Sequence, residues 1–167
     1  NAVAAIYLSG YGLQFEGENY FVPVGAQINR ESDIGINAIR LSDLTRPLAG
    51  LQGHGSVVML DLAHKSPFLQ GVQGLAPGLA LIEPEANTLV SLNAAPGMVA
   101  PAATPPYGAY AQSLAEVIRL GGLTANEIFD RVRLRTAQLT RNAQTPWSAT
   151  RIATPLILLE RAADAPQ

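Results

Sequence analysis

Cysteine is absent from the 167 residues of the chain. Its absence excludes disulfides, thiolate metal sites and a cysteine nucleophile. Charge is also scarce, because charged residues make up 14% of the chain and the net charge is −2. Without a basic stripe to neutralise phosphates, we expect no nucleic-acid partner. No apolar run reaches the roughly 20 residues that cross a bilayer, so no membrane span is predicted.

Hydrophobic residues amount to 48% of the chain, which is sufficient for the core of one domain. We expect a single domain over residues 1–160. Small and polar residues follow it, and they predict a flexible tail over residues 161–167. The chain begins with Asn1 rather than Met and has no charged segment before its first apolar run, so we expect it to be cut from a longer polypeptide.

Short apolar runs without alternation predict strands that are buried on both faces of a parallel sheet. Such runs occur at residues 3–8, 56–60, 88–93 and 155–160. Helical spacing of apolar residues predicts one helix near residues 110–118, and Thr124 with Glu127 forms a capping box that opens a second. This order of elements predicts an α/β fold with a mostly parallel sheet flanked by helices.

In open parallel sheets, functional sites lie at the carboxyl ends of strands. Two such ends are the sequence SGYG at residues 9–12, predicted as a tight loop, and DLAHK at residues 61–65. With TLVSLNAAPG at 88–97 and QTPW at 144–147, they resemble the caspase-like peptidases, especially bacterial relatives of metacaspases. In that family a strand ending in Gly-His-Gly bears the general base, and the next core strand, ending in Leu-Asp-Ala-Cys-Arg, bears the nucleophile.

The resemblance runs in order from Val3 to Trp147 and implies a caspase-like sheet whose first strands are absent from this chain. The strand at residues 3–8 would then have a bare edge. We expect either a missing N-terminal segment or another chain to complete the sheet there.

Two departures from the family motif decide the expected function. Tyr11 stands at the position of the catalytic His, and Ala63 stands at the position of the nucleophilic Cys. The resemblance therefore implies a pseudopeptidase that acts as a binding, scaffold or regulatory module. The alternatives are a cysteine endopeptidase whose nucleophile was mutated to Ala, or a structural domain of a larger protein. Because Leu62, His64 and Lys65 also depart from the motif, we favour a natural pseudoenzyme.

A binding role is expected for the residues that surround the two replaced positions, namely Ser9, Gly10, Gly12, Asp61, His64 and Lys65. The resemblance implies that Asp61 holds a basic side chain of a peptide, whereas Lys65 would repel that side chain or pair with Asp61. Alternatively, Asp61 accepts backbone N–H groups of its own loop and His64 faces solvent. Asp61 and His64 are too few ligands for a structural metal, and no cofactor is predicted. Tyr11 is expected to plug the former cleft.

The predicted last strand offers a further surface. Four apolar residues run from Leu156 to Leu159, and such a run is costly to leave in water. We therefore expect this edge to pair in a homodimer, as the corresponding strand of caspases does. The other expected partner is a protein or peptide bound at the cleft.

Overall fold

The computed structural model describes residues 2–51, 53, 55–103 and 106–161. The strands are β1 (Val3–Ser9), β2 (Tyr11–Phe15), β3 (Glu18–Val22), β4 (Ile39–Arg40), β5 (Gly55–Asp61), β6 (Leu75–Ala76), β7 (Thr88–Leu92) and β8 (Trp147–Thr150). The helices are α1 (Ile34–Asn37), α2 (Leu41–Thr45), α3 (Ala109–Ile118) and α4 (Ala125–Leu139), with 3-10 turns at Glu31–Asp33 and Arg46–Gly50. No helix of the described chain is long and apolar enough to cross a membrane.

The larger sheet has the strand order β1-β5-β7-β8. Its first three strands are parallel and β8 is antiparallel to β7. Every residue of β5 is buried because both faces of the sheet are covered. Val58 and Leu60 belong to the core on one face, and Val57 and Met59 belong to the core on the other. The mostly parallel α/β architecture predicted from the sequence is therefore confirmed.

The prediction that the first strand is buried on both faces is wrong. Residues along β1 alternate between exposed and half-buried. Ile6 and Leu8 pack against the core, whereas Val3 and Tyr7 on the opposite face are exposed. The reason is that β1 lies at the edge of the sheet, where β5 is its strand partner within the described residues.

A smaller sheet with the order β4-β3-β2-β6 is antiparallel throughout. Strands β2 and β3 contribute to a separate core of buried apolar side chains, namely Leu13, Tyr20, Val22, Ile28 and Ile34. The prediction of a tight loop at residues 9–12 is wrong, because Gly10 alone separates β1 from β2. The Gly10 φ of 148° lies in a region that favours glycine, and there the chain passes from one sheet to the other.

The predicted capping box opens α4. The Thr124 hydroxyl accepts from the Glu127 amide at 3.3 Å, and the Glu127 carboxylate accepts from the Thr124 amide at 2.8 Å. The buried face of α4 carries Ile128 and Val132. Arg135 lies at the edge of this face, where its guanidinium donates to Glu116 of α3 over 2.7 Å.

Residues 155–160 do not form the predicted last strand, so the edge proposed for a homodimer is absent. Leu156 is buried in the core beneath α4, and its carbonyl accepts from the Ala125 amide at 2.7 Å. The Leu159 carbonyl accepts from the Gly122 amide at 2.8 Å. These bonds hold the segment against the turn between α3 and α4, and β8 forms the edge of the sheet instead. Of the predicted flexible tail, residues 162–167 lie outside the described residues.

A candidate binding cleft at the carboxyl ends of two strands

The parallel pairing of β1 and β5 brings the two predicted motifs together. Ser9 stands opposite Asp61 in the register of the two strands. Beyond this pair, the Gly10 amide donates to the Asp61 carbonyl at 3.2 Å and the Gly12 amide donates to the Leu62 carbonyl at 2.9 Å. Tyr11, between the two glycines, therefore lies beside the backbone that leads into Ala63.

Gly12 leaves room for this close approach. A Cβ atom at residue 12 would lie 2.8 Å from Leu79 Cδ2 and 3.1 Å from both the Cβ atom and the carbonyl oxygen of Leu62. Real Cβ contacts are rarely so short, so a side chain here would require Leu79 to move aside and Leu62 to shift by a few tenths of an ångström. Glycine at residue 12 thus lets β2 approach the end of β5 without displacing Leu62 or Leu79.

Asp61 is buried and binds two side chains. Its Oδ2 atom accepts from the Tyr7 hydroxyl at 3.1 Å, and its Oδ1 atom lies 3.1 Å from His64 Nε2. Asp61 therefore serves neither the backbone amides of its loop nor Lys65. The prediction of a solvent-facing His64 is also wrong, because its side chain is 25% exposed and paired with Asp61.

The Asp61 carboxylate alters the acidity of both partners. Its hydrogen bond and charge raise the pKa of His64 above the usual value, although partial burial opposes the shift. Burial, together with the Asp61 charge, raises the pKa of Tyr7 to about 12. Tyr7 was not predicted as a site residue. Its position two residues before Ser9 on a strand was the available signal, since such residues share one face.

An NMR pH titration tests the pairing of His64 with Asp61. We expect the His64 imidazole to titrate above the ordinary value of about 6.5 and the Asp61→Asn variant to titrate lower, because the carboxylate charge is lost. The background variant His54→Gln leaves one imidazole signal; His54 lies outside the described residues. Asp130→Asn, on the exposed face of α4, is the control and should leave the midpoint unchanged. Equal midpoints with and without Asp61 would contradict the pairing.

Ala63 lies under the floor of the cleft. The residue is 2% exposed and belongs to the core of the larger sheet. Its amide donates to Asn93 Oδ1 at 3.0 Å, and its carbonyl accepts from the Ala100 amide at 2.7 Å. Asn93 is in turn held by Gln144, whose Nε2 atom donates to the Asn93 carbonyl at 2.8 Å. The sequence did not reveal a role for Gln144, the first residue of the QTPW motif; in the structure it holds Asn93 in place.

Tyr11 does not plug the cleft. Its side chain is 42% exposed and its ring meets the Phe68 ring edge to face, with 5.8 Å between the ring centroids. A cavity of about 600 Å³ remains open beside it. Tyr11 is therefore a wall of the cleft.

Three cavities meet at His64. The polar cavity, about 610 Å³, is bordered by Asp61, Tyr110 and Gln144. The loop cavity is the one beside Tyr11, and Ser9, Gly10 and Lys65 also line it. The apolar pocket, about 300 Å³, is lined by Gly12, Leu13, Lys65, Phe68, Leu69, Leu75 and Val99, among others. His64 borders all three, whereas Ala63 borders none of them.

The predicted binding residues thus lie at one end of the larger sheet but line different cavities. Asp61 faces the polar cavity, Ser9 and Gly10 the loop cavity, and Gly12 the apolar pocket. Among the residues that the structure describes, no group of three or more His, Cys, Asp or Glu side chains is arranged to hold a metal ion.

Comparisons with known proteins agree with this fold. A solved structure of caspase-1 from Spodoptera frugiperda shares 13% identity with the chain at a TM-score of 0.54, and the match covers 98% of this chain. The chain spans 63% of the length of that caspase. A structure of pro-Sf-caspase-1 shares 14% identity over 93% of this chain and 63% of its own, with a TM-score of 0.46. A search of curated protein sequences found no match.

The family model of the caspase domain, Peptidase C14, matches residues 1–157, which is nearly the whole chain. The chain therefore belongs to the caspase domain family.

Proposed function

We propose that this protein is a catalytically silent caspase-like domain that binds a peptide or protein segment in its cleft without cutting it. The observation that supports this most directly is the pair of side chains at the two dyad positions. They are the phenol of Tyr11 and the methyl group of Ala63. The proposed domain comprises residues 1–160.

Neither side chain can do the chemistry that peptide cleavage by this route requires. The reaction needs a thiolate beside a base that accepts its proton. A methyl group has no lone pair with which to attack a carbonyl. A phenol, with an ordinary pKa of about 10, is mostly protonated at neutral pH and is a poor base.

The polar groups beside the cleft support a structural role for the loop after β5. The Asp61 carboxylate is occupied by Tyr7 and His64, at 3.1 Å in both cases. The Ser66 hydroxyl accepts from the Phe68 amide at 3.1 Å and so serves its own turn. These contacts fix the loop after β5, and a fixed loop beside open cavities suits recognition of a ligand.

A second partner surface is proposed along β1. This strand pairs with β5 on one side, and within the described residues its other edge has no strand partner. Unpaired amides and carbonyls along a strand favour the addition of another strand. We propose that a strand of the same polypeptide or of another chain pairs there.

A peptide-cleavage assay tests the loss of catalysis. We expect no cleavage of a mixed peptide library by the native chain or by Ala63→Cys, because both variants lack a base at residue 11. The double variant Ala63→Cys/Tyr11→His restores both chemical groups and tests whether the buried position of residue 63 by itself prevents cleavage. Rapid cleavage of peptides by the native chain or by Ala63→Cys alone would overturn the proposal, since it would show that the site is still competent.

A further inference from the structure

Helix α4 has an exposed face opposite the one that packs in the core. The buried side carries Ile128, Val132 and Thr136, whereas Leu134 on the other side is 64% exposed. The exposed residues at helical spacing around Leu134 and in the turn after the helix form what we call the α4 face, namely Glu127, Asp130, Arg131, Leu134, Gln138 and Arg141. A large apolar side chain thus lies in the middle of a polar surface.

The two ends of the α4 face carry opposite charges. Its N-terminal half has the two acids Glu127 and Asp130 and the base Arg131, whereas Arg141 follows its C-terminal end. Hydrogen bonds from Thr124, together with the charge of Arg131, lower the pKa of Glu127, so its carboxylate is ionised at neutral pH. Neither Asp130 nor Arg141 forms an ion pair with a described residue. Both charges are therefore available to a partner.

The charges are arranged symmetrically about Leu134. Glu127 stands seven residues before it and Arg141 seven residues after it, which is about 10 Å on either side at the helical rise of about 1.5 Å per residue. Two copies of α4 that lie antiparallel with their Leu134 side chains in contact therefore place residue 127 of each opposite residue 141 of the other. Asp130 then lies within one turn of the same Arg141. A parallel arrangement would instead bring like charges together at both ends.

We propose that the α4 face binds a second copy of this chain through an antiparallel, two-fold symmetric pair of α4 helices, with Leu134 at the centre and Asp130 beside Arg141 at each end. The two-fold axis forms both charge contacts at once. This surface is separate from the cleft, from the edge of β1 and from the segment 156–159. Because each copy contributes a single helix, we expect a weak pair with a Kd of about 100 µM. The pair is dissociated at micromolar concentrations, where Leu134 stays exposed.

Sedimentation equilibrium between 10 µM and 1 mM tests the proposal. We expect the native chain to pass reversibly from monomer to dimer over this range and to dissociate when salt is raised, because the charge contacts are screened. Leu134→Glu should remain monomeric up to 1 mM, since it places two carboxylates at the centre of the contact. The matched control Leu120→Glu makes the same change at an exposed position in the turn after α3 and should dimerise as the native chain does.

Charge reversal tests the orientation of the two helices. Arg141→Glu places like charges at both ends of the pair, and Asp130→Arg does so with the opposite sign, so each variant alone should dimerise at least tenfold more weakly. An equimolar mixture of the two should associate as tightly as the native chain, because the acid introduced at residue 141 then meets the base introduced at residue 130. The control Arg133→Glu reverses an exposed charge of α4 outside the α4 face and should leave dimerisation unchanged.

Three results would overturn the proposal. A native chain that stays monomeric at 1 mM has no such contact. A dimer that persists in Leu134→Glu is formed by another surface. A mixture of the two charge variants that associates no more tightly than each variant alone excludes the antiparallel register, and circular dichroism of the same samples shows whether α4 is folded. None of these results bears on the proposed function, which the cleavage assay tests at the cleft.

Discussion

The Ala63→Cys variant is expected to react with Ellman's reagent about a hundredfold more slowly than the Ala102→Cys variant, because a thiol at residue 63 reacts only after local opening. Ala63 is 2% exposed and packs in the core, whereas Ala102 is exposed and lines both the polar and the loop cavities. The native chain has no cysteine, so each variant carries a single thiol and each rate has one source.

The rate comparison has a clear contrary outcome. Equal rates would mean that the side chain at residue 63 reaches the cleft as readily as that at residue 102. In that case, burial of residue 63 would add nothing to the two chemical obstacles, which are the absence of a thiol at residue 63 and of a base at residue 11. The expected slow rate would instead mean that the side chain at residue 63 is held out of the cleft, where the Ala63 amide is bound by Asn93 and its carbonyl by Ala100.

Leu60→Ala is expected to lower the free energy of unfolding by about 3 kcal/mol. Leu60 is 0% exposed and lies in the middle of the sheet, opposite Leu8 of β1 and Leu92 of β7. Truncation leaves a cavity that rigid strands on either side cannot fill. Chemical denaturation followed by circular dichroism measures the loss.

Leu134→Ala is the matched control for this stability measurement. Leu134 is 64% exposed on α4, so the same truncation should change the free energy of unfolding by less than about 0.5 kcal/mol. Similar losses in the two variants would contradict the assignment of Leu60 to the centre of the core.

The sequence predicted well those elements whose own residue pattern matches the contacts that the fold gives them. The continuous apolar run of β5 corresponds to a strand covered on both faces. The capping box at Thr124 operates within four residues, so it needs no knowledge of distant contacts. The two strand ends that carry the family motif also lie side by side, since Ser9 and Asp61 are paired across two neighbouring strands.

The elements that were wrongly predicted depend on partners distant in the chain. Nothing in the apolar composition of β1 shows that one of its faces is left uncovered. The run from Leu156 to Leu159 resembles a strand, but the turn between α3 and α4 provides its hydrogen-bond partners. The pairing of Asp61 with Tyr7 also joins residues 54 positions apart, and only the register of β1 against β5 brings them together.

The single-residue connection at Gly10 has a mechanical consequence. Because β2 continues directly from β1 after this residue, no linker separates the two sheets. At the junction the Gly10 amide donates to the Asp61 carbonyl, at 3.2 Å. We therefore expect a rotation of the smaller sheet to displace the end of β5, because no flexible linker separates them. Together with the hydrogen bond from the Gly12 amide to the Leu62 carbonyl, 2.9 Å long, this connection couples the position of the smaller sheet to that of the segment after β5.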